Sequence, residues 1–384
     1  MSTTSQKERF HFLDGLRGIA SLMIVIHHSL TANIAAFINK SHIPYSGEMF
    51  SQFTQSGVDL FFVLSGVVLL RPYLRGQRQF KVGDYFIRRI KRIYPPYFFA
   101  LLFGAFVVWF MGTYPTWYNV RGMHIPFSWL ETFKESFIFS TNENYYNLAW
   151  WSLQIEILFY IAVPAVVLTF PKPEKLTIQR IIITILATYG AAFALQELST
   201  NYTSWLYSYT YHASVLGKFM EYPVCFLMGI LLAARDFNIT EARNFMIAGI
   251  VLVIAGIVLM DINYVFISLL HSGYGLFYAG VITMAFRADG LKRFLSKPIM
   301  IWLGERSYSL FLIHFSVFYL VDNNVARFTG DRTAIYGLAT RIIGIPLAFF
   351  FAMLLFYFVE RKQARGLLTD KAFWPWQVKG LKLD

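Results

Sequence analysis

The stretch "LDGLRGIASLMIVIHH", Leu13 to His28, decides the fold. It is apolar enough to enter a bilayer, yet it carries an aspartate, an arginine and two adjacent histidines. Such groups are expensive at membrane depth unless they face a partner or a polar cavity. The surrounding chain of 384 residues is 56% hydrophobic, 18% aromatic and only 15% charged, with a mean hydropathy of +0.48. That composition lies outside the range of soluble domains, and the chain reads as an all-α polytopic membrane helix bundle.

A spanning helix needs about 20 mostly apolar residues. Ten runs qualify, near 16–38, 57–74, 94–112, 150–170, 178–198, 215–234, 244–260, 263–286, 304–321 and 336–359. The intervals are mostly short, which predicts one transmembrane domain over 1–360 and a basic cytoplasmic tail over 361–384. The first run is too long and too charged for a cleaved signal sequence and lacks a small-residue cleavage pattern, so it is expected to stay as a helix. The lone cysteine, Cys225 in "EYPVCFLMGIL", excludes an intramolecular disulfide and a cysteine-cluster metal site. It reads as an apolar packing residue, and no metal site is expected.

The net charge of +12 raises the question of nucleic acid. Its distribution answers that question. With ten spans and a cytoplasmic N-terminus, 27 of the 34 lysines and arginines fall on the inner side. The exceptions are Lys40, Arg121, Lys134, Lys218, Arg327, Arg332 and Arg341. This is the positive-inside pattern with both termini cytoplasmic, so the basicity orients the chain and does not predict nucleic-acid binding.

At about 100° per residue, Asp14, Arg17, Ser21, Ile24 and His28 share one side of the first helix, and His27 points elsewhere. Arg17 and His28 lie roughly 16 Å apart along the axis, the first near the inner surface and the second near mid-bilayer. Two readings stand for the pair. Either they line a functional path, or His28 bonds a neighbouring helix while Arg17 snorkels to the interface. Asp14 is placed either to orient Arg17 or to cap the helix.

"FIRRIKRIYPPYFF" sets Arg88, Arg89, Lys91 and Arg92 just before Pro95 and Pro96, which suit a helix beginning. Arginine forks at an inner helix N-terminus match phosphate oxygens, although orientation and anionic lipid explain the cluster equally well. "AWWSLQIEILFY" places Glu156, with Trp151 nearby, in a helix entered from the outer face. "GERSYSLFLIHF" places His314 at a depth close to that of His28.

Taken together, five motifs resemble the acyltransferase 3 family of integral membrane proteins. They are "LDGLRGIASLMIVIHH" with its Arg-x10-His spacing, "GVDLFFVLSGVVL", "RRIKRIYPPY" with Arg-x2-Arg, "WSLQIEILFY" and "LGERSYSLFLIH", in family order from about 13 to 314. The resemblance implies transfer of an acyl group, usually acetyl from cytosolic acetyl-CoA, to a surface carbohydrate across a bacterial inner membrane. It also implies that Arg17, His28, Arg89 and Arg92 are the functional residues. Some members fuse an esterase-like domain, and this chain reads as a standalone form.

On this reading Arg89 and Arg92, with Arg88 and Lys91 in support, hold the phosphates of acetyl-CoA. His28 acts either as general base on a sugar hydroxyl or as a transient acyl carrier. Glu156, His314 and Trp151 are the acceptor-site candidates. The aromatics Tyr114, Trp117, Tyr118, Trp129, Tyr145 and Tyr146, and the run "NYTSWLYSYTYH", suit either sugar rings or a membrane-interface belt. The expected partners are an acyl-CoA donor, a lipopolysaccharide O-antigen or exopolysaccharide acceptor and the lipid bilayer. Succinyl transfer, a peptidoglycan, lipid or small-molecule acceptor, and a flippase of lipid-linked sugars are the rival readings. The flippase reading is weakened by the lack of an inverted repeat.

Overall fold

A computed structural model describes residues 10–41, 44–112, 127–137, 146–169, 183, 219, 221–260, 262, 266–329 and 340–361. Among them there is no strand. The helices are α1 (His11–Ser29), α2 (Thr31–Ile38), α3 (Ser46–Gln55), α4 (Gly57–Leu74), α5 (Val82–Gly112), α6 (Trp129–Glu135) and α7 (Trp151–Thr169). They continue with α8 (Pro223–Ala234), α9 (Ile239–Met260), α10 (Ile267–Arg287), α11 (Asp289–Leu295), α12 (Pro298–Glu305), α13 (Ser307–Thr329) and α14 (Ile345–Leu355). Two π-turns, Thr340–Gly344 and Phe356–Glu360, extend α14 at both ends.

Six helical runs are long and apolar enough to cross a membrane among the described residues. This supports the polytopic bundle. The run expected at 178–198 lies, apart from Ile183, outside the described residues, as does the tail beyond Arg361. Of the aromatics, Tyr114, Trp117, Tyr118, Tyr145 and the run 201–212 are also outside them.

Two of the boundaries that differ from the sequence reading bear on the site. The first run is broken at Leu30 into α1 and α2. There Ser29 Oγ donates to the Val25 carbonyl at 2.6 Å and Thr31 Oγ1 to the Ile26 carbonyl at 3.3 Å. Hydroxyls that bond back to the preceding turn compete with the helical ladder and bend it. The third run begins at Val82, so Pro95 and Pro96 sit inside α5 and do not start it. The arginine cluster therefore lies along a continuous helix and is not a set of side chains around a free N-terminus. The anion-binding argument from helix N-terminal N–H groups does not apply there.

The bundle is organised around α4, which packs on α1, α8 and α10. Small residues permit the closest crossings, as is usual where lipid gives helices no hydrophobic drive to associate. A Cβ on Gly66 would lie 2.7 Å from the Cα of Gly229, so α4 and α8 touch backbone to backbone. Aromatic rings then lock α7 onto this pair: Phe159 stacks on Phe226 at 4.1 Å, and Phe62 meets Phe226 at 4.7 Å. On the other side, Asn147 Nδ2 and Trp150 Nε1 both donate to the carbonyl of Leu312, at 3.0 and 3.1 Å. These bonds pin the start of α7 to the second turn of α13, and the helices that carry Arg17, Arg92, Glu156 and His314 converge.

Candidate active site

α1 begins at His11 with Phe10 at the cap position, so Asp14 lies within the first turn and does not cap the helix. The register from Arg17 to His28 is unbroken. Arg17 faces a small cavity between α1, α4, α5, α7 and α13. Its polar lining includes Arg17, Ser65, Arg92, Glu156, Tyr160 and Tyr308, and Phe61, Phe62 and Phe311 form apolar wall.

Two guanidinium groups and one carboxylate thus share one space. Position in the sequence suggested that Glu156 lies towards the outer end of a path, but the fold sets it on the same cavity as Arg17 and Arg92. The Glu156 carboxylate accepts from Ser65 Oγ at 3.2 Å and from the Tyr160 hydroxyl. Arg17 lies in the field of Arg92, Asp14 and Glu156. A second carboxylate, Glu360 at the end of the last helical turn, is buried and feels Arg92 and Arg17. It accepts from Ser309 Oγ at 2.6 Å. Tyr308 donates to the carbonyl of Ile93 at 3.1 Å and so braces the turn of α5 that carries Arg92.

The other members of the basic cluster diverge. Arg89 lies over the rings of Tyr85 and Tyr160, at 5.8 and 5.9 Å, and its buried Nε has no hydrogen-bond partner among the described residues. Arg88 donates to the Tyr73 hydroxyl at 3.0 Å, and Lys91 is exposed. The charged donors lining the cavity are therefore Arg17 and Arg92, with Arg89 over the ring of Tyr160. Guanidinium forks beside a partly apolar cavity suit anionic oxygens.

His28 is not in the cavity wall. Its ring meets His314 of α13, with His28 Nδ1 3.1 Å from His314 Nε2 and ring centroids 5.1 Å apart. The similar depths read from the sequence are thus realised as direct contact. His27 turns away, as its register requires, and reaches Thr54 Oγ1 at 3.2 Å. Trp151 packs on Tyr222 with centroids 5.7 Å apart, next to the cavity residue Ser152.

A second buried polar cluster went unnoticed in the sequence. His271 Nδ1 donates to Asp59 Oδ1 at 2.9 Å, and both side chains are almost fully buried. Cys225, expected to be plain packing, also points its thiol at Asp59 Oδ1, at 3.4 Å. Tyr222 covers the imidazole at 4.1 Å between centroids.

Most of the chain is similar to known proteins. The acyltransferase domain of the acyltransferase 3 family matches residues 10–361. A provisionally assigned O-acetyltransferase of Staphylococcus aureus (strain COL) is 23% identical over 91% of this chain and 56% of its own length. The peptidoglycan O-acetyltransferase OatA of Listeria monocytogenes is 25% identical over 96% of this chain and 59% of its own. "Protein 2 in picA locus" of Rhizobium radiobacter is 36% identical over 26% of this chain and 47% of its own. The chain spans little more than half the length of the first two relatives, and no solved structure matches it. A domain match across the described bundle places this chain in the acyltransferase 3 family.

Proposed function

We propose that this protein is an inner-membrane O-acyltransferase that moves an acetyl group from cytosolic acetyl-CoA to a hydroxyl of a surface or exported carbohydrate, with lipopolysaccharide O-antigen or exopolysaccharide as the acceptor class. The observation that carries this reading is the division of α1 into two ends. Arg17 faces the cavity with Arg92 and Glu156, and His28 faces His314, on one helix and in one register.

In this reading Arg17 and Arg92 bind phosphate oxygens of the donor, and Arg89 adds positive potential from behind Tyr160. The thioester arm extends along α1 over roughly 16 Å, the rise of eleven residues. The acceptor hydroxyl attacks the thioester carbonyl carbon, and the carbon–sulfur bond breaks. His28 takes the hydroxyl proton and returns it to the departing thiolate, so that CoA leaves as the free thiol and the ester carries the acetyl group. The names of the staphylococcal and listerial relatives support acetyl as the transferred group. The listerial name also supports a carbohydrate polymer as the kind of acceptor.

The test is the acetyl-ester content of surface polysaccharide in a deletion strain complemented with wild type or with His28→Ala at matched membrane levels. Restoration by wild type alone supports the reading. Equal ester in the deletion strain and the wild type rejects this acceptor class.

A further inference from the structure

The His28–His314 contact has a defined sense, set by the backbone around it. His314 Nδ1 lies 3.0 Å from the carbonyl of Leu310 and 2.9 Å from that of Phe311. Carbonyls only accept, so Nδ1 of a neutral His314 carries the proton and its Nε2 is the acceptor nitrogen. On the other side, His28 Nδ1 lies 3.1 Å from the carbonyl of Ile24 and 3.1 Å from His314 Nε2. Both of these groups are acceptors. The proton of a neutral His28 is therefore on Nδ1, and Nε2 is its basic nitrogen.

We infer that His314 is a positioning residue that fixes the tautomer and ring orientation of His28, so that His28 Nε2 is the nitrogen that takes the proton of the acceptor hydroxyl. Aromatic neighbours limit rotation of both rings. Phe315 meets His28 edge-on at 5.5 Å, and Phe318 meets His314 edge-on at 5.7 Å. A carboxylate in the place of His314 would do the same work at the cost of burying a full charge, whereas a neutral imidazole anchored by two carbonyls avoids that cost. This role rests on the reading of His28 as the base in acetyl transfer, and it replaces the expectation that His314 contacts the acceptor.

The experiment has two independent arms. Imidazole 15N chemical shifts are recorded on the full-length protein in lipid, with the His28 signals assigned by their loss in His28→Gln. The expected result is a neutral His28 with the proton on Nδ1 in wild type and a larger share of the Nε2–H tautomer in His314→Leu, where the Ile24 carbonyl alone is left of the two acceptors. A wild-type His28 protonated on Nε2 overturns the inference whatever the reaction proves to be.

In the second arm, acetyl transfer is measured for His314→Gln and His314→Leu. A glutamine amide oxygen still accepts from His28 Nδ1, but leucine fills the space without an acceptor. The glutamine variant is expected within about 5-fold of wild-type kcat and the leucine variant down by about 100-fold, in the range of a misplaced general base, with the KM for acetyl-CoA unchanged in both. Equal loss in the two variants, or loss expressed in KM, means that His314 serves packing or binding and overturns the positioning role. Absence of transfer in wild type contradicts the acyltransferase reading alone, and the tautomer is still read from the spectra.

Discussion

Arg17 and His28 project from the same side of α1 and end in different surroundings, Arg17 in a cavity with Arg92 and Glu156, His28 against the imidazole of His314. Eleven residues of uninterrupted helix fix their spacing and direction together. One rigid element thus spaces the arginine-lined cavity from the histidine pair.

The arginines should separate donor from acceptor binding. Arg92→Ala and Arg17→Ala each remove a charged donor from the cavity, worth about 1.5–3 kcal/mol. Each is expected to raise the KM for acetyl-CoA by about 10- to 100-fold, with little change in acceptor KM. Arg92→Lys should recover only part of the loss, because an ammonium cannot fork onto phosphate oxygens. Steady-state kinetics with both substrates varied reads this directly. Arg88→Ala and Lys91→Ala should change acetyl-CoA use by less than about 3-fold, since Arg88 is held by Tyr73 and Lys91 is exposed.

Glu156 decides between two roles. As the counter-charge of Arg17 and Arg92 it opposes an anionic donor, so Glu156→Gln should lower the KM for acetyl-CoA by about 3- to 10-fold. The amide retains the size and an acceptor oxygen for Ser65 and Tyr160. A raised acceptor KM with unchanged donor KM would instead assign the carboxylate to the acceptor hydroxyl.

How much of this was legible follows from the kind of signal each feature leaves. The range 57–74 is read correctly because an apolar run is bounded by Ser56–Gly57 and by Pro72–Arg75. The start of α5 is missed because hydropathy detects lipid contact, and residues 82–93 are a charged helix with no apolar run to report it. The depth of His314 follows from counting residues along its helix. The meeting of Arg17, Arg92 and Glu156 does not, because it depends on how three helices cross. Glu360 closes the range read as transmembrane, 1–360, and no local signal shows that it is buried in the field of Arg92 and Arg17. Asp59 lies in the first turn of α4, and nothing local marks His271 as its partner.

The Asp59–His271 pair should behave as a stability element. No hydrogen-bond partner reaches Asp59 Oδ2 or His271 Nε2 among the described residues, so the pair already carries an unrelieved burial cost. Removing one member leaves the other uncompensated, at about 3–5 kcal/mol. Asp59→Leu and His271→Leu should each lower the thermal midpoint in detergent by several degrees. The double variant should lose less than the sum, which a double-mutant cycle measures.

Asp236 provides a pH signature away from the cavity. Burial raises its carboxyl, but the bidentate bond from Arg75, at 3.0 and 3.1 Å, and the charges of Arg71 and Arg287 outweigh burial and hold it below the usual range. A lowered carboxyl stabilises the fold above its ordinary value, and that contribution is lost as pH falls through the lowered one. Thermal midpoints measured from pH 7 down to about pH 3 should therefore fall more steeply in wild type than in Asp236→Asn. The effect should be small, because half of the Asp236 side chain is exposed.

The most direct test uses inverted membrane vesicles, whose outer surface is the cytosolic face, from cells expressing wild type or His28→Ala at equal levels. Radiolabelled acetyl-CoA is supplied from that face, and alkali-labile label is measured in the carbohydrate fraction. The expected result is ester label with wild type and background with His28→Ala. Equal labelling by the two proteins would contradict a reaction centred on His28.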